Sequence, residues 1–275
     1  MKLGLGTVQF GMAYGVAGHP QPSPEQVRAV LARAKQAGID LLDTAPSYHS
    51  EEFLNCQEFN IVTKLPPGTL GSGVSEAFSH SLKALNSTQV YGLLVHQSTD
   101  ILGTEGDAVV AAMQRLKAEG LVQKIGVSVY HPQDANILSE RYPLDLIQLP
   151  MNVLDQRFKP LIPTLLNKHI ELHVRSVFLQ GLLLMALEKV PAYFNPIRGH
   201  LSRYHESVKA AGLTLVEAAL GFATEFPDLR WIVGVHTLAQ LETLIAASEK
   251  GVSMDYAPWA LTEEAFLLPY LWRLS

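Results

Sequence analysis

The feature that most constrains this chain is an alternation, along most of its length, of short apolar runs with longer amphipathic stretches. The short runs are rich in β-branched residues or leucine, which is typical of buried strands. Strands are predicted at eight places: 3–7, 40–43, 61–64, 91–96, 125–128, 146–149, 172–175 and 231–233. Strands that alternate with helices in this way predict a parallel sheet covered by helices.

The stretches between these strands carry the periodicity of amphipathic helices. Apolar residues recur at helical spacing within 27–34, 74–85 and 109–116, so each of these segments is predicted to bury one face. Gly38 and Gly120 follow two of them, at the position where a glycine commonly ends a helix. The helices are therefore expected to pack on the sheet through their apolar faces.

The predicted strands are nearly continuous apolar runs, so both faces of the sheet are expected to be buried. Eight strand–helix units in roughly 250 residues predict a closed (β/α)8 TIM barrel that forms one domain over residues 1–275. An open doubly wound sheet is the alternative, and it is disfavoured because Gly4 and Gly6 lack the third glycine of a GxGxxG loop. About 55 residues separate the last two strands, with a helix predicted at 202–211; loops this long often shape binding sites.

Composition excludes several classes of ligand and binding partner for such a barrel. The 275 residues include 21 Lys and Arg against 26 Asp and Glu, and a formal net charge of -5 gives no electrostatic reason to bind nucleic acid or anionic lipid. A single cysteine, Cys56, leaves no internal disulfide and no multi-cysteine metal site, and the histidines lack metal-ligand spacing. No export or membrane segment is recognised, so a cytoplasmic protein with a small-molecule substrate is expected, in an undetermined oligomeric state.

Polar residues end three consecutive predicted strands. Asp43 ends the second, Lys64 the third and His96 the fourth, and Tyr48 follows Asp43 by five residues. In a barrel, the carboxyl ends of the strands open onto one face, which is where active sites lie. Each residue alone has a structural interpretation: a turn aspartate, a packed tyrosine, a solvated lysine or a hydrogen-bonded histidine. Together they form one candidate catalytic group.

These four residues suit proton transfer to a carbonyl oxygen. A phenol, with a pKa of about 10, is a poor acid at neutral pH, and a nearby ammonium such as that of Lys64 lowers the pKa of a phenol. A buried lysine needs a carboxylate partner, which Asp43 can provide, and His96 can orient the substrate oxygen by a hydrogen bond. The group contains no hydride source, so a redox cofactor must supply that chemistry.

Several short segments, in the same order along the chain, resemble the aldo-keto reductases. They are DTAPSY at 43–48, IVTK at 61–64, LLVH at 93–96, KIGVS at 124–128 and IQLPMN at 147–152. The start LGLGTVQFG and the segment RSVFLQGLL at 175–183 are most similar to a bacterial branch of that family. The resemblance implies that Tyr48 is the general acid, that Lys64 and Asp43 tune it, and that His96 orients the carbonyl.

The resemblance also implies NADP(H) as the cofactor, with NAD(H) as the alternative, and an aldehyde or ketone as the substrate. The cofactor is expected to lie extended across the mouth of the barrel. Ser128 and Gln148 match positions that bind the nicotinamide carboxamide, and a helix start near Thr237 matches the site of the adenosine phosphate. The residues implied in cofactor binding are Ser128, Gln148, Arg175, Gln180, Gly181, Leu182, Gly234, His236, Thr237 and Gln240.

The sequence departs from the family pattern at four places. The loop after the predicted catalytic tyrosine is one residue shorter and has His49 where a glycine is usual, and Val129 replaces an asparagine at the end of the fifth strand. Arg175 stands where an aromatic residue often stacks on the nicotinamide; its guanidinium either takes that place or pairs with a barrel carboxylate. Gln240 replaces a common arginine, which predicts weaker cofactor binding or a reduced preference for NADPH over NADH.

Two alternative functions stay open. The shortened loop after Tyr48 and the few residues predicted to bind the adenosine phosphate also fit a nucleotide-binding regulatory protein with a vestigial active site. The other alternative is a barrel enzyme of different chemistry, in which Lys64 forms a Schiff base with its substrate. Measurable hydride transfer separates an active reductase from the regulatory protein, and borohydride trapping tests for the Schiff base.

Overall fold

Eight parallel strands pair in sequence order, and the last pairs with the first, within residues 1–16 and 18–274, which are the residues that the computed structural model describes. They are β1 Lys2–Gly6, β2 Leu41–Asp43, β3 Asn60–Leu65, β4 Val90–Val95, β5 Val122–Ser128, β6 Leu146–Pro150, β7 Glu171–Arg175 and β8 Arg230–Gly234. The predicted closed barrel is confirmed, and the open doubly wound sheet is excluded because β1 and β8 are paired.

Every predicted strand is present, and the differences lie at the strand ends. The largest is in β5, which begins at Val122 and not at residue 125. Gln123 is exposed and Lys124 half-buried, so the start of this strand lacks the apolar run that marks its interior. Pairing with β4 at Val90 and Gly92 nevertheless keeps these residues in the sheet.

Helices surround the barrel and form the connections between strands. Within the described residues they are α1 Val8–Gly11, α2 Pro24–Gln36, α3 Val74–Ala84, α4 Thr99–Leu102, α5 Gly106–Ala118, α6 Pro132–Arg141, α7 Ile162–Asn167, α8 Arg198–Ala210, α9 Leu215–Ala223, α10 Leu238–Glu249 and α11 Glu264–Leu267. The predicted helix in the long connection is α8. It begins at Arg198 and not at residue 202, because no capping side chain marks its start in the sequence. None of the helices in the described part of the chain has the length and apolar character needed to cross a membrane.

Gly38 and Gly120 end helices, as predicted. They follow α2 and α5 and adopt φ values of 77° and 74°, in the left-handed region that glycine enters without a Cβ clash. The next amides, those of Ile39 and Leu121, each donate back to a helix carbonyl oxygen at 3.0 Å. These bonds satisfy carbonyl groups that the helix end would otherwise leave free.

The apolar core has two parts. The larger part fills the space between the sheet and the surrounding helices. The smaller part lies among the strands, and we call it the inner core; its members are Leu41, Val62, Leu94, Leu146 and Ile232. One neighbour of the inner core must be a glycine, because a Cβ at Gly126 would lie 1.9 Å from the carbonyl oxygen of Leu146. The inner core closes the barrel, so the barrel is packed and is not a pore.

Candidate active site

A cavity of about 940 Å³ opens at the carboxyl ends of the strands. Side chains alternate along a strand, so the residue two positions after an inner-core residue lies on the same side, nearer the open end. Five such positions line the cavity: Asp43, Lys64, His96, Gln148 and Gly234, of which the first four carry polar side chains. The volume is near the upper limit of the roughly 300–1,000 Å³ that is usual for small-molecule and cofactor sites.

Lys64 and Asp43 form a buried ion pair in this cavity. Lys64 Nζ lies 2.7 Å from Asp43 Oδ1 and donates to the Thr44 carbonyl oxygen at 2.8 Å, while Gln148 donates to the second carboxylate oxygen at 2.6 Å. The two charged side chains are only 1% and 7% exposed. Burial by itself would lower the pKa of Lys64, but the adjacent Asp43 carboxylate outweighs burial and raises it. Lys64 is therefore an ammonium at neutral pH.

Tyr48 stands next to this ion pair. The short 3-10 turn Pro46–Tyr48 follows β2 and places the phenol in the cavity wall. Lys64 Nζ lies 4.9 Å from the centroid of the Tyr48 ring. The His96 ring meets the Tyr48 ring edge to face, with 6.1 Å between the centroids. The structure thus brings together the four residues that the sequence analysis proposed as a catalytic group.

His96 is a neutral imidazole in this setting. Burial lowers its pKa to about 4, and the positive charge of Lys64 acts in the same direction. A neutral imidazole has one N–H donor and one acceptor nitrogen. His96 can therefore direct a hydrogen bond at a ligand oxygen near pH 7 without being a competing acid.

The segment after Tyr48 is fixed to the barrel by buried polar contacts. The Ser50 hydroxyl lies 2.8 Å from the hydroxyl of Thr7, just after β1. The Thr63 hydroxyl, in β3, donates to Glu51 Oε1 at 2.6 Å. Buried hydrogen bonds of this kind hold a loop to one geometry, because breaking one would leave a polar group unpaired.

The shortened loop turns at His49. Its φ of 54° lies in the left-handed region, which a glycine would enter more easily than a histidine. Gly11 makes room for the turn, since a Cβ there would lie 1.9 Å from the carbonyl oxygen of Tyr48. The loop keeps Tyr48 in the cavity wall with His49 in a conformation suited to glycine.

Ser128 and Gln148, which match the positions that bind the nicotinamide carboxamide, lie side by side in the cavity wall. β5 and β6 pair at Ser128 and Gln148, and Arg175 Nε lies 3.3 Å from Ser128 Oγ. Arg175 also donates to the Val129 carbonyl oxygen at 2.9 Å, and its guanidinium carbon lies 4.0 Å from the centroid of the Tyr130 ring. Within the described residues, the hydrogen-bond partners of Arg175 are neutral oxygens, so its pairing with a barrel carboxylate is not supported.

The other predicted cofactor residues divide between the cavity and its surroundings. Those that line the cavity are Gln180, Gly181, Gly234, His236 and Gln240. Leu182 packs in the core with 1% exposure, and Thr237 is the exposed N-cap of α10, whose hydroxyl accepts from the Gln240 amide. Neither residue is among those that line the cavity, and their implied role in cofactor binding stays a prediction.

Part of the wall comes from the connection between α1 and α2, which the sequence analysis did not single out. Tyr14 and His19 line the cavity. The Val16 amide donates to the Gln180 carbonyl oxygen at 3.0 Å, and the ring of His19 lies 4.8 Å from that of His236. This connection therefore meets the segments that follow β7 and β8. This connection has no motif or periodicity, so only its length could have indicated in the sequence that it contributes to the site.

Tyr14 adds a second phenol close to Tyr48. Burial first, and then the neighbouring Tyr48, raises the pKa of Tyr14 to about 12, so this side chain stays protonated. Tyr130 and Lys189 also line the cavity and were not singled out. Both come from segments without a recognisable motif, and only the fold brings them to the site.

The polar atoms of the cavity suit a dinucleotide. Three buried side-chain atoms in its wall lack a hydrogen-bond partner among the described residues: Gln9 Oε1, Gln148 Oε1 and His236 Nε2. Buried polar atoms are normally paired, so unpaired ones in a cavity indicate where a ligand binds. Gln148 Oε1 and the Ser128 hydroxyl can bond a carboxamide, and His236 lies just before α10, where free N–H groups favour a phosphate.

Two kinds of comparison relate this chain to known proteins. The family model described as Aldo/keto reductase family matches residues 2–258. Among solved structures, the chain is similar to the aldo-keto reductase AKR11C1 from Bacillus halodurans in its holo form. The TM-score is 0.79 and the identity 20%, over 94% of this chain and 89% of that one.

Two other solved structures show the same likeness. The glycerol dehydrogenase AKR11B4 from Gluconobacter oxydans gives a TM-score of 0.73 at 19% identity, over 97% of this chain and 92% of that one. An aldo-keto reductase from Klebsiella pneumoniae in complex with NADPH gives 0.69 at 20% identity, over 92% and 86%. No curated protein matches the chain. At these identities the structural matches support the fold.

Proposed function

Because the chain belongs to the aldo/keto reductase family, we propose that it is an NADP(H)-dependent oxidoreductase that reduces an aldehyde or ketone to an alcohol. The observation that carries the proposal is the buried Lys64–Asp43 ion pair beside Tyr48, in a cavity large enough for a cofactor. The bound cofactor supplies the hydride. The side chains of the chain itself supply the proton and orient the substrate.

Tyr48 is the proton donor in this proposal. Its hydroxyl proton passes to the carbonyl oxygen as hydride reaches the carbonyl carbon, which leaves a phenolate. The Lys64 ammonium stabilises that phenolate. This electrostatic interaction is strong because Lys64 and its partner Asp43 are buried away from water. Asp43 is needed because a buried lysine without a carboxylate partner would tend to lose its charge.

His96 orients the carbonyl oxygen. Its neutral ring would donate one hydrogen bond, and its edge-to-face packing against Tyr48 supports the proposal that both side chains bond the same oxygen. Donors that are fixed before the reaction stabilise the negative charge that develops on that oxygen. With a pKa of about 4, His96 does not compete with Tyr48 as the acid near pH 7.

The cofactor residues follow the wall of the cavity. Ser128 and Gln148 would hold the nicotinamide carboxamide, and the segment at Gln180 would pass along the pyrophosphate. His236 and Gln240, at the start of α10, would contact the adenosine phosphate. NADP(H) is the proposed cofactor, and NAD(H) is the alternative because Gln240 carries no charge. The proposed location is the cytoplasm, since a chain with a single cysteine needs no oxidising compartment.

The two alternative functions have less support. A Schiff base needs an accessible, neutral amine, whereas Lys64 is buried, paired with Asp43 and has a raised pKa. A vestigial site was suggested by the shortened loop after Tyr48. Contacts of Ser50 and Glu51 fix that loop to the barrel, and Tyr48 stands in the cavity wall. Reduction is therefore the favoured proposal.

Single-turnover kinetics test the proposed function. Protein loaded with NADPH is mixed with a panel of aldehydes and ketones, and both loss of NADPH fluorescence and appearance of the alcohol are followed. Reduction of at least one carbonyl by the wild type is expected, together with its loss in Tyr48→Phe at unchanged NADPH affinity. Tight NADPH binding without hydride transfer to any carbonyl would contradict the proposal and favour the regulatory protein.

A further inference from the structure

Arg175 places a fixed positive charge in the cavity wall. It is the last residue of β7 and is half-buried. Its guanidinium donates to Ser128 Oγ at 3.3 Å, to Ser176 Oγ at 3.3 Å and to the Val129 carbonyl oxygen at 2.9 Å. These partners are all neutral, and no carboxylate in the described part of the chain forms an ion pair with it. The charge is therefore uncompensated.

The position of this charge is also rigid. The guanidinium lies over the Tyr130 ring, with 4.0 Å from its central carbon to the ring centroid. Tyr130 in turn packs edge to face on Tyr270, at a centroid distance of 4.8 Å. A guanidinium held by three acceptors and an aromatic face does not swing out to meet solvent or a distant anion.

Arg175 dominates the charge of the inner cavity. Among the described charged side chains that line it, Asp43 and Lys64 neutralise each other, and Lys189 is exposed to solvent. The charge of Arg175 also reaches the proposed catalytic residues, since it adds to the effects of burial and of Lys64 on the pKa of His96. A ligand that reacts at Tyr48 therefore lies within the field of this arginine.

We propose that Arg175 makes the site discriminate between the two redox states of the cofactor, so that the reduced form binds more tightly than the oxidised form. The inference rests on the proposed function. Reduction adds a hydride to the carbonyl carbon and the Tyr48 proton to its oxygen, and it leaves the nicotinamide ring with one more positive charge. Arg175 repels that new charge and has no such effect on the neutral reduced ring.

The expected size follows from Coulomb's law. The hydride must reach a carbon whose oxygen is bonded to Tyr48, so the ring must lie in the same cavity as Arg175. Two unit charges about 10 Å apart, at an effective dielectric constant of about 20, shift an equilibrium roughly tenfold. Arg175 is thus expected to raise the ratio of the Kd for NADP+ to the Kd for NADPH by about that factor.

The geometry favours this role over a phosphate anchor. An arginine that binds a phosphate offers free N–H groups in a bidentate fork. In Arg175 each of the three guanidinium nitrogens already donates one hydrogen bond, to Ser128, Ser176 or Val129, and one face of the guanidinium is covered by Tyr130, so a phosphate would find two of the five N–H groups free. A phosphate anchor would also strengthen the binding of both redox states equally, which gives the experiment a clear alternative outcome.

The test measures Kd for NADPH and for NADP+ separately, by titration calorimetry, in the wild type, Arg175→Gln and Arg175→Lys. Arg175→Gln is expected to lower the Kd ratio about tenfold, mainly by tightening NADP+. Arg175→Lys, which keeps the charge and loses the planar fork, is expected to keep most of the ratio. Arg28→Gln removes an exposed charge on α2 and serves as the control with an unchanged ratio.

Each outcome has a distinct meaning. An unchanged ratio in folded Arg175→Gln, or an equal loss of affinity for both nucleotides, overturns the role of Arg175 and leaves the proposed function standing. If Arg175→Gln fails to fold by circular dichroism, Arg175→Met removes the charge in its place: a Kd ratio that falls about tenfold supports the role, and an unchanged ratio overturns it. Failure of the wild type to bind either nucleotide refutes the proposed cofactor, and the inference with it.

Discussion

The barrel holds two groups that each combine a carboxylate, a lysine, a tyrosine and a histidine, one on each side of the inner core. The upper tetrad, at the carboxyl ends of the strands, is Asp43, Lys64, Tyr48 and His96. The lower tetrad, at the amino ends, is Glu171, Lys124, Tyr91 and His173. In both, the lysine pairs with the carboxylate and lies about 5 Å from the tyrosine ring, at 4.9 Å above and 5.1 Å below.

The two tetrads differ in what the tyrosine hydroxyl can reach. In the lower tetrad, Tyr91 donates to Glu171 Oε2 at 2.6 Å, and His173 Nε2 lies 2.7 Å from the other carboxylate oxygen. Burial and Glu171 raise the pKa of Tyr91, so its proton is held. In the upper tetrad, Lys64 and Gln148 each donate to one carboxylate oxygen of Asp43. The Tyr48 hydroxyl is therefore left to bond a ligand in the cavity. Residue types alone therefore do not identify a candidate catalytic site; the end of the strand at which they lie and the hydrogen-bond partner of the phenol also matter.

The largest expected difference between the two tetrads is the effect on kcat of removing each tyrosine hydroxyl. Tyr48→Phe is expected to lower kcat for carbonyl reduction by roughly 10²–10⁴-fold, because it removes the proposed general acid. Tyr91→Phe is expected to leave kcat unchanged, because its hydroxyl serves only Glu171. Steady-state kinetics with NADPH and an aldehyde measure both. A wild-type kcat in Tyr48→Phe, or an equal loss in Tyr91→Phe, would contradict the distinction between the tetrads.

Removing each lysine tests how deeply the two ion pairs are buried. Lys64→Met leaves the buried Asp43 carboxylate unpaired and is expected to lower the free energy of unfolding by about 3–5 kcal/mol. Lys124→Met is expected to cost about 1 kcal/mol, because the Lys124 and Glu171 side chains are 32% and 21% exposed. Urea unfolding followed by circular dichroism gives both values. Adding Asp43→Asn to Lys64→Met should recover part of the loss, whereas equal losses in the two single variants would refute the difference in burial.

The sequence was sufficient to predict the barrel because burial dictates residue type in the interior of a strand. Each apolar run marked a strand, and glycines at 38 and 120 marked helix ends. Strand ends were less visible, since hydrogen bonds to a neighbour extend β5 back to Val122 without an apolar signal. The start of α8 at Arg198 was hidden for a similar reason, because no capping side chain precedes it.

The site was predictable only where its residues directly follow strands. Asp43, Lys64 and His96 could be placed from the strand pattern and from one rule about barrels. Tyr14 and Lys189 lie in connections, where no local pattern shows which residues turn toward the cavity. The lower tetrad was not singled out either, because charged residues at the start of a strand look like solvated ends.

Acid is expected to weaken the lower tetrad specifically. Burial alone would raise the pKa of Glu171, but hydrogen bonds from His173, Lys124 and Tyr91 outweigh burial and hold it well below its usual range. A lowered folded-state pKa contributes stability above the unfolded-state value of about 4.3, and that stability is lost as the pH falls below it. The free energy of unfolding lost in Glu171→Gln should therefore be largest near pH 7 and shrink below about pH 4.

Urea unfolding of the wild type and Glu171→Gln at several pH values measures this change. Glu76→Gln, at an exposed position on α3, is the matched control and should show a small difference that does not depend on pH. A Glu171→Gln difference that stays constant between pH 7 and pH 3 would show that the carboxylate is not preferentially stabilised in the folded protein.

The smallest expected effect concerns the two histidines: neither is expected to change the pH dependence of kcat near neutral pH. His173 faces a carboxylate, whereas His96 faces the Lys64 ammonium and is buried, which together lower the pKa of His96 to about 4. An ordinary imidazole titrates near 6.5, so a catalytic histidine of that kind would bend the pH profile of kcat between about pH 5.5 and 7.5. No such bend is expected here, and NMR of the His96 ring should show a titration near pH 4. A bend near pH 6.5 that disappears in His96→Gln would mean that His96 protonates during the reaction, and it would make His96 a proton donor alongside Tyr48.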